Sequence, residues 1–228
     1  QMFMYRKVLV FFAVLMIGLV CLINLPYQYY YNGSLSIWSV YDWLINYQGG
    51  FTRRGFAGEI IYLIASWLYI SPLYILLFFQ SFLIVSLFYN TWKILMMQKD
   101  TIRHLIVMYS PAFFASFVFS GITERKDILY FAVMSYVVRL YMEDRFSKIK
   151  QIIYFFIVYP SLILTHEIFF ALFPYSLFFI RGKKQTILYS IPSILTFALI
   201  MISHHFTTYA QATISLEFIW QMQERLIG

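Results

Sequence analysis

The feature that most limits how this chain can fold is a series of apolar runs about as long as a bilayer is thick, separated by short charged clusters. The runs are Val8 to Pro26, Pro72 to Met97, Leu105 to Gly121, Ile128 to Met142, Ile152 to His166, Ile168 to Ile180 and Ile187 to Phe206. A hydrocarbon core about 30 Å thick takes roughly 20 apolar residues per helix, with every backbone polar group bonded inside the segment. The pattern predicts an all-α polytopic transmembrane bundle of about seven spans.

Composition agrees. Apolar residues make up 61% of the 228 and charged residues 12%, well outside the balance of soluble domains. The net charge of +7 does not point to nucleic acid, because the basic residues gather at the ends of apolar runs, where they encode membrane orientation. Cys21 is the single cysteine, so no disulfide framework is built within the chain. Residues 1–228 read as one transmembrane domain, without repeat or low-complexity tract. Gln1 in place of Met, and a closing amphipathic piece that does not re-enter the membrane, predict a fragment of a longer chain.

Charge also sets sidedness. The first run follows Arg6-Lys7, is long for a signal peptide and lacks a small-x-small cleavage site, so it reads as an uncleaved span with a cytoplasmic N-terminus. Phe56 to Ser71 is apolar but only 16 residues long and carries Glu59. If it lies interfacially or re-enters, 12 of the 17 basic residues fall inside, against three of the ten acids. If it crosses, three basic clusters face the wrong way. The same reasoning splits Ile152 to Ile180 into a hairpin turning at His166-Glu167, which keeps Arg181, Lys183 and Lys184 inside.

This topology gathers the unusual polar residues on the outer face. They are Asp42, Arg53, Arg54 and Glu59 in the first loop (27–71), "ERKD" (Glu124 to Asp127), "THE" (Thr165 to Glu167) and His204-His205. Charges near membrane depth are costly and persist where they pair or line a polar cavity. In the first loop, Ser34 or Ser36 is placed to cap an interfacial helix running to Gln48, stopped by Gly49-Gly50, with Asp42 upon it. Arg53 and Arg54 suit planar, bidentate recognition of phosphate or carboxylate; lipid head groups are the plainer partners. Arg125 and Lys126 could simply neutralise Glu124 and Asp127. His166-Glu167 lacks the spacing of a zinc helix such as HExxH, and His204-His205 point about 100° apart on a helix. Most of the Tyr and Phe read as lipid-facing or interfacial residues.

Taken together, the loops resemble those of the GT-C superfamily of membrane glycosyltransferases, with a first span, a long outer loop carrying interfacial helices and an acid, and a second acidic position between spans three and four. Asp42 and the acids of "GITERKDILYF" hold those places. "LILTHEIFFALFPY" looks like the stretch between spans five and six of aminoarabinose- and mannose-transferring members, but His166-Glu167 stands where those carry Lys-Gly, so a phosphate-binding lysine does not carry over. "NYQGGFTRRGFAGE" is similar to a motif of membrane proteins of bacterial surface-polysaccharide assembly, including O-antigen polymerase-like proteins.

The resemblance implies a multi-pass protein of the bacterial inner membrane. It implies a polyprenyl-phosphate or pyrophosphate sugar donor, a saccharide or lipid acceptor, and membrane lipids as surroundings. In such chemistry Asp42 is the candidate base, and Arg53 and Arg54 are candidates for the donor phosphate. Glu124, Asp127, His166 and Glu167 could orient sugar hydroxyls or hold a divalent cation, the one cofactor the residues leave open. A lipid-sugar transporter or flippase, and a noncatalytic assembly subunit, remain alternatives.

Overall fold

The structure is a computed structural model, and it describes residues 14–23, 42–48, 50–97, 125–180 and 182–203, together with Val8, Phe11, Phe12 and Val40. Among these residues every regular element is helical and none is a strand. Three helices are long and apolar enough to cross a membrane: Pro72–Met97, Lys148–Thr165 and Lys183–Ser203. Shorter apolar helices cover Val14–Ile23 and Phe56–Leu68, and a further helix spans Asp127–Met142. In chain order these are α1 (Val14–Ile23), α2 (Phe56–Leu68), α3 (Pro72–Met97), α4 (Asp127–Met142) and α5 (Lys148–Thr165). They are followed by a 3-10 turn (Glu167–Phe170), α6 (Phe173–Leu177) and α7 (Lys183–Ser203). The expected span Leu105 to Gly121 lies outside the described residues.

Several hydroxyl side chains inside these helices bond back to their own helix. Thr91, Ser161, Ser190 and Thr196 each donate to the carbonyl four residues back, at 2.7 to 2.8 Å. That is how a polar side chain is tolerated where nothing else can accept its hydrogen. The surface of α7 is correspondingly apolar, with Ile187, Leu195 and Ile202 all more than half exposed, as a face against lipid requires.

The chain forms two compact units. The first comprises Gln1–Ser39 and Leu77–Phe146, the second Val40–Leu76 and Ser147–Gly228. In the first, α1 runs antiparallel to α3. The Phe11 and Trp92 rings meet edge-on at 5.5 Å, and a methyl group at Gly18 would lie 3.4 Å from the Phe88 ring.

In the second unit, three passes lie side by side. Tyr159 donates from its hydroxyl to the Phe169 carbonyl at 2.8 Å, and the Tyr154 and Ser176 hydroxyls share a hydrogen bond of 2.9 Å. Residues 169 to 176 therefore run back along residues 159 to 154. Phe155 then stacks on Tyr189 at 5.1 Å and Phe170 on Phe197 at 4.1 Å, so α7 runs parallel to α5. The chain reverses at His166-Glu167, where the hairpin is expected, and Lys183 and Lys184 come to the same end of the unit as Lys148 and Lys150.

The return is not a continuous helix, unlike the expected span Ile168 to Ile180. His166 is extended (φ −156°, ψ 117°), the next four residues form the 3-10 turn, and α6 has Pro at its start. Each of these features ends or restarts a helix. Within α5, Tyr154–Val158 widens into a π turn, with the Tyr159 N–H bonded to Tyr154 five residues back. Pro160 follows at once. It lacks an N–H for the carbonyl four residues back and its ring crowds that group, which one wider turn relieves.

Helix α2 has 13 residues, about 20 Å at 1.5 Å per residue, too short to cross a bilayer. Its small face, Ala57, Gly58, Ile61 and Ala65, is buried, while Leu63, Trp67 and Tyr69 are more than half exposed. A left-handed Tyr69 (φ 55°) closes it, and Ser71 then accepts from the Leu73 N–H at 3.2 Å to start α3.

Candidate functional site

The expected interfacial helix through Gln48 ends earlier. Residues 42–44 are helical and the chain leaves the helix at Ile45. Asn46 terminates it: its Nδ2 donates to the Leu44 carbonyl at 3.2 Å, and its Oδ1 accepts from the Gln48 N–H at 3.0 Å. A short amide that bonds to its own backbone competes with helical continuation. Ser34, Ser36 and Gly49 lie outside the described residues.

Glu59, in the first turn of α2, holds this loop. It accepts from the Tyr47 N–H and from Gln48 Nε2, each at 2.8 Å. Gly58 lets the loop seat directly on α2, since a Cβ there would collide with the Ile45 carbonyl. Gly55 does the same under the Tyr47 ring, which stacks on Phe51 at 5.2 Å. Burial and the nearby Glu59 charge push the Tyr47 phenol up to about 12, so it stays neutral near neutral pH. Glu59, Gly55 and Gly58 of the "GGFTRRGFAGE" string thus have local structural duties, which leaves the arginines as its remaining charged groups.

Those arginines meet the turn between α5 and the 3-10 segment. Arg54 donates from Nε to Glu167 Oε2 at 2.8 Å and from Nη2 to Oε1 at 2.7 Å. Its Nη1 lies 3.7 Å from Asp42 Oδ1. Arg53 Nη1 lies 3.8 Å from Glu167 Oε1, and the Arg53 side chain is 49% exposed. Arg54 takes a left-handed backbone (φ 75°), a conformation costing a non-glycine residue about 1 kcal/mol. The planar guanidinium fork is matched to a carboxylate as an ammonium is not.

Burial by itself raises the Glu167 carboxyl, but the Arg54 hydrogen bonds, its own backbone amide and the neighbouring positive charge outweigh this. The carboxyl is lowered to about 2. The hydrogen bonds to Glu167 correspondingly raise Arg54. Both groups are charged at any physiological pH, and Asp42 and Arg53 complete a cluster of two cations and two carboxylates.

His166 is buried and caps the 3-10 turn, its Nδ1 accepting from the Ile168 N–H at 3.3 Å. Both Glu167 oxygens face Arg54. Among the described residues no three His, Cys, Asp or Glu side chains gather in an arrangement that could hold a metal ion. Asp127 belongs to the first unit, where Arg125 Nε approaches its Oδ2 to 3.1 Å at the start of α4, the arrangement expected if the tetrad neutralises itself. Glu124 and His204-His205 lie outside the described residues.

Of the candidates read from sequence, then, Asp42, Arg53, Arg54, His166 and Glu167 come together in one unit. The Arg54–Glu167 pairing itself is invisible at the level of motifs, because each partner looks complete in its own loop. No family model, curated protein or solved structure matches the chain.

Proposed function

We propose that this chain transfers a sugar from a polyprenyl-phosphate or pyrophosphate donor at the outer face of a bacterial inner membrane, with its N-terminus cytoplasmic and a seven-span, GT-C-like architecture. The carrying observation is the cluster Asp42–Arg54–Glu167 with the half-exposed Arg53. It stands at the opposite end of the hairpin from Lys148, Lys150, Lys183 and Lys184. Lysines at one end are the usual mark of a cytoplasmic side, which supports reading the cluster as an outer-face site for a lipid-linked donor's phosphate.

In this reading Asp42 accepts the proton of the acceptor hydroxyl as its oxygen bonds to the anomeric carbon. The bond from that carbon to the phosphate oxygen breaks, its electron pair stays on phosphate, and Arg53 stabilises the developing charge. Arg54, held by Glu167, orients Asp42 rather than binding the donor. A single displacement inverts the anomeric centre. The acceptor is a saccharide or lipid of surface-polysaccharide assembly.

Native membranes carrying the full-length protein, its Asp42→Asn form or its Arg53→Ala form test this by the lipid-linked saccharides they accumulate. The expected result is loss of elongated product and build-up of donor at normal protein level. Unchanged product in both variants would falsify the assigned roles. The broken return through Glu167–Leu177 favours a second reading, transport of a lipid-linked saccharide, since interrupted helices are common in transporters. Transport predicts that donor builds up on the cytoplasmic leaflet instead of the outer one.

A further inference from the structure

The first unit carries a groove unrelated to the Arg54 cluster. It has a volume of about 220 Å³ between α1 and α3 and is walled almost wholly by hydrocarbon, with Leu15, Leu19, Val85 and Tyr89 along its open side. These four are 39% to 53% exposed among the described residues, so the groove is open along that side. It extends from Ile84 to Trp92 along α3, about 12 Å at helical rise.

Its Trp92 end is cationic. The Lys93 ammonium lies 5.0 Å from the Trp92 ring centroid and 5.7 Å from that of Tyr89, and the Arg139 guanidinium lies 5.3 Å from Tyr89. Two buried donors there, Trp92 Nε1 and Arg139 Nε, have no hydrogen-bond partner among the described residues. Glu143 is the nearby acid. Its Oε1 is 4.0 Å from Arg139 Nε, and its other oxygen is 3.5 Å from Arg145 Nη1. Among the described residues no carboxylate pairs with Lys93.

An apolar slot that ends in an ammonium, a guanidinium and unmet N–H donors is complementary to an acyl chain attached to an anionic head. We propose that this groove binds an anionic phospholipid, with one acyl chain between α1 and α3 and its phosphate at Lys93, Arg139 and the Trp92 N–H. The site is independent of the sugar-transfer reading.

The test is native mass spectrometry of the purified full-length protein in detergent. It is dosed separately with phosphatidylglycerol, with phosphatidylcholine of the same chains, and with inorganic phosphate. A juxtamembrane cation contributes roughly fivefold in affinity for an anionic head. Wild type should therefore retain phosphatidylglycerol at least about fivefold over phosphatidylcholine, and Lys93→Gln should lose most of that preference while Lys93→Arg keeps it. Val85→Trp, which fills the groove from its open side, should lower retention of both lipids. Equal retention of the two lipids by wild type overturns the proposal, as does a preference that survives both Lys93→Gln and Arg139→Gln. Inorganic phosphate binding without lipid preference, or full retention in Val85→Trp, overturns the acyl-chain placement.

Discussion

Arg54 and Glu167, 113 residues apart in sequence, form a bidentate ion pair in which guanidinium Nε and Nη2 face both carboxylate oxygens at 2.8 and 2.7 Å. The pair fastens the loop that precedes α2 to the turn of the α5 hairpin. Its side chains are 31% and 21% exposed, so it is neither a solvated surface pair nor a fully buried one. A double-mutant cycle on Arg54→Ala and Glu167→Gln, read by thermal unfolding in detergent, should give a coupling of about 1–2 kcal/mol. Arg54→Lys should recover less than half of it, because an ammonium cannot bridge two oxygens in one plane. A coupling near zero sinks the fastening role.

The lowered Glu167 carboxyl makes that contribution pH-dependent. Its folded value of about 2 lies below the ordinary 4.5, so the stabilisation is fully present above about pH 4.5 and is lost as pH falls towards 2. The melting temperature of wild type should fall towards that of Glu167→Gln across this window, and the gap between them should be constant from pH 6 to 8. A gap that widens on acidification contradicts the assignment.

Gly58 and Gly182 provide a matched comparison. A Cβ at Gly58 meets the backbone of Ile45, which cannot turn aside, whereas Gly182 has open space but a φ of +116°. Gly58→Ala is expected to cost about 2–3 kcal/mol by overpacking, and Gly182→Ala about 1 kcal/mol by backbone strain alone. Melting temperatures of the two variants measure the difference, and equal shifts argue against the tight seat of the loop on α2.

The hairpin can be tested by labelling. In a Cys21→Ser background, Arg53→Cys and Lys184→Cys should react with a membrane-impermeant maleimide from opposite sides of sealed vesicles. Reaction of both from one side is inconsistent with the reversal at His166-Glu167.

The Tyr159 hydroxyl bond to the Phe169 carbonyl should contribute about 1 kcal/mol. Tyr159→Phe should therefore lower the melting temperature by a few degrees while leaving the Arg54–Glu167 coupling intact. Loss of that coupling in Tyr159→Phe makes the two contacts one unit rather than two.

What the sequence alone determined was set by short-range physics. Apolar run length announced helices on the scale of a bilayer, Pro72 after Ser71 marked the start of α3, and the lysine clusters required a reversal near His166, which is where the chain turns. The glycines of "GGFTRRGFAGE" signalled a close approach without saying to what. Only the tertiary structure decided that Glu59 and Gly58 seat the loop on α2 and that Glu167 belongs to Arg54. Helical periodicity and charge bias act within a segment, whereas these contacts join segments 11 to 113 residues apart. Their partners are chosen by which faces pack, through distances and angles that no local pattern encodes. The same holds for the interrupted return through α6: its apolar content reads as a span, and its backbone is set by what Tyr154 and Tyr159 hydrogen-bond.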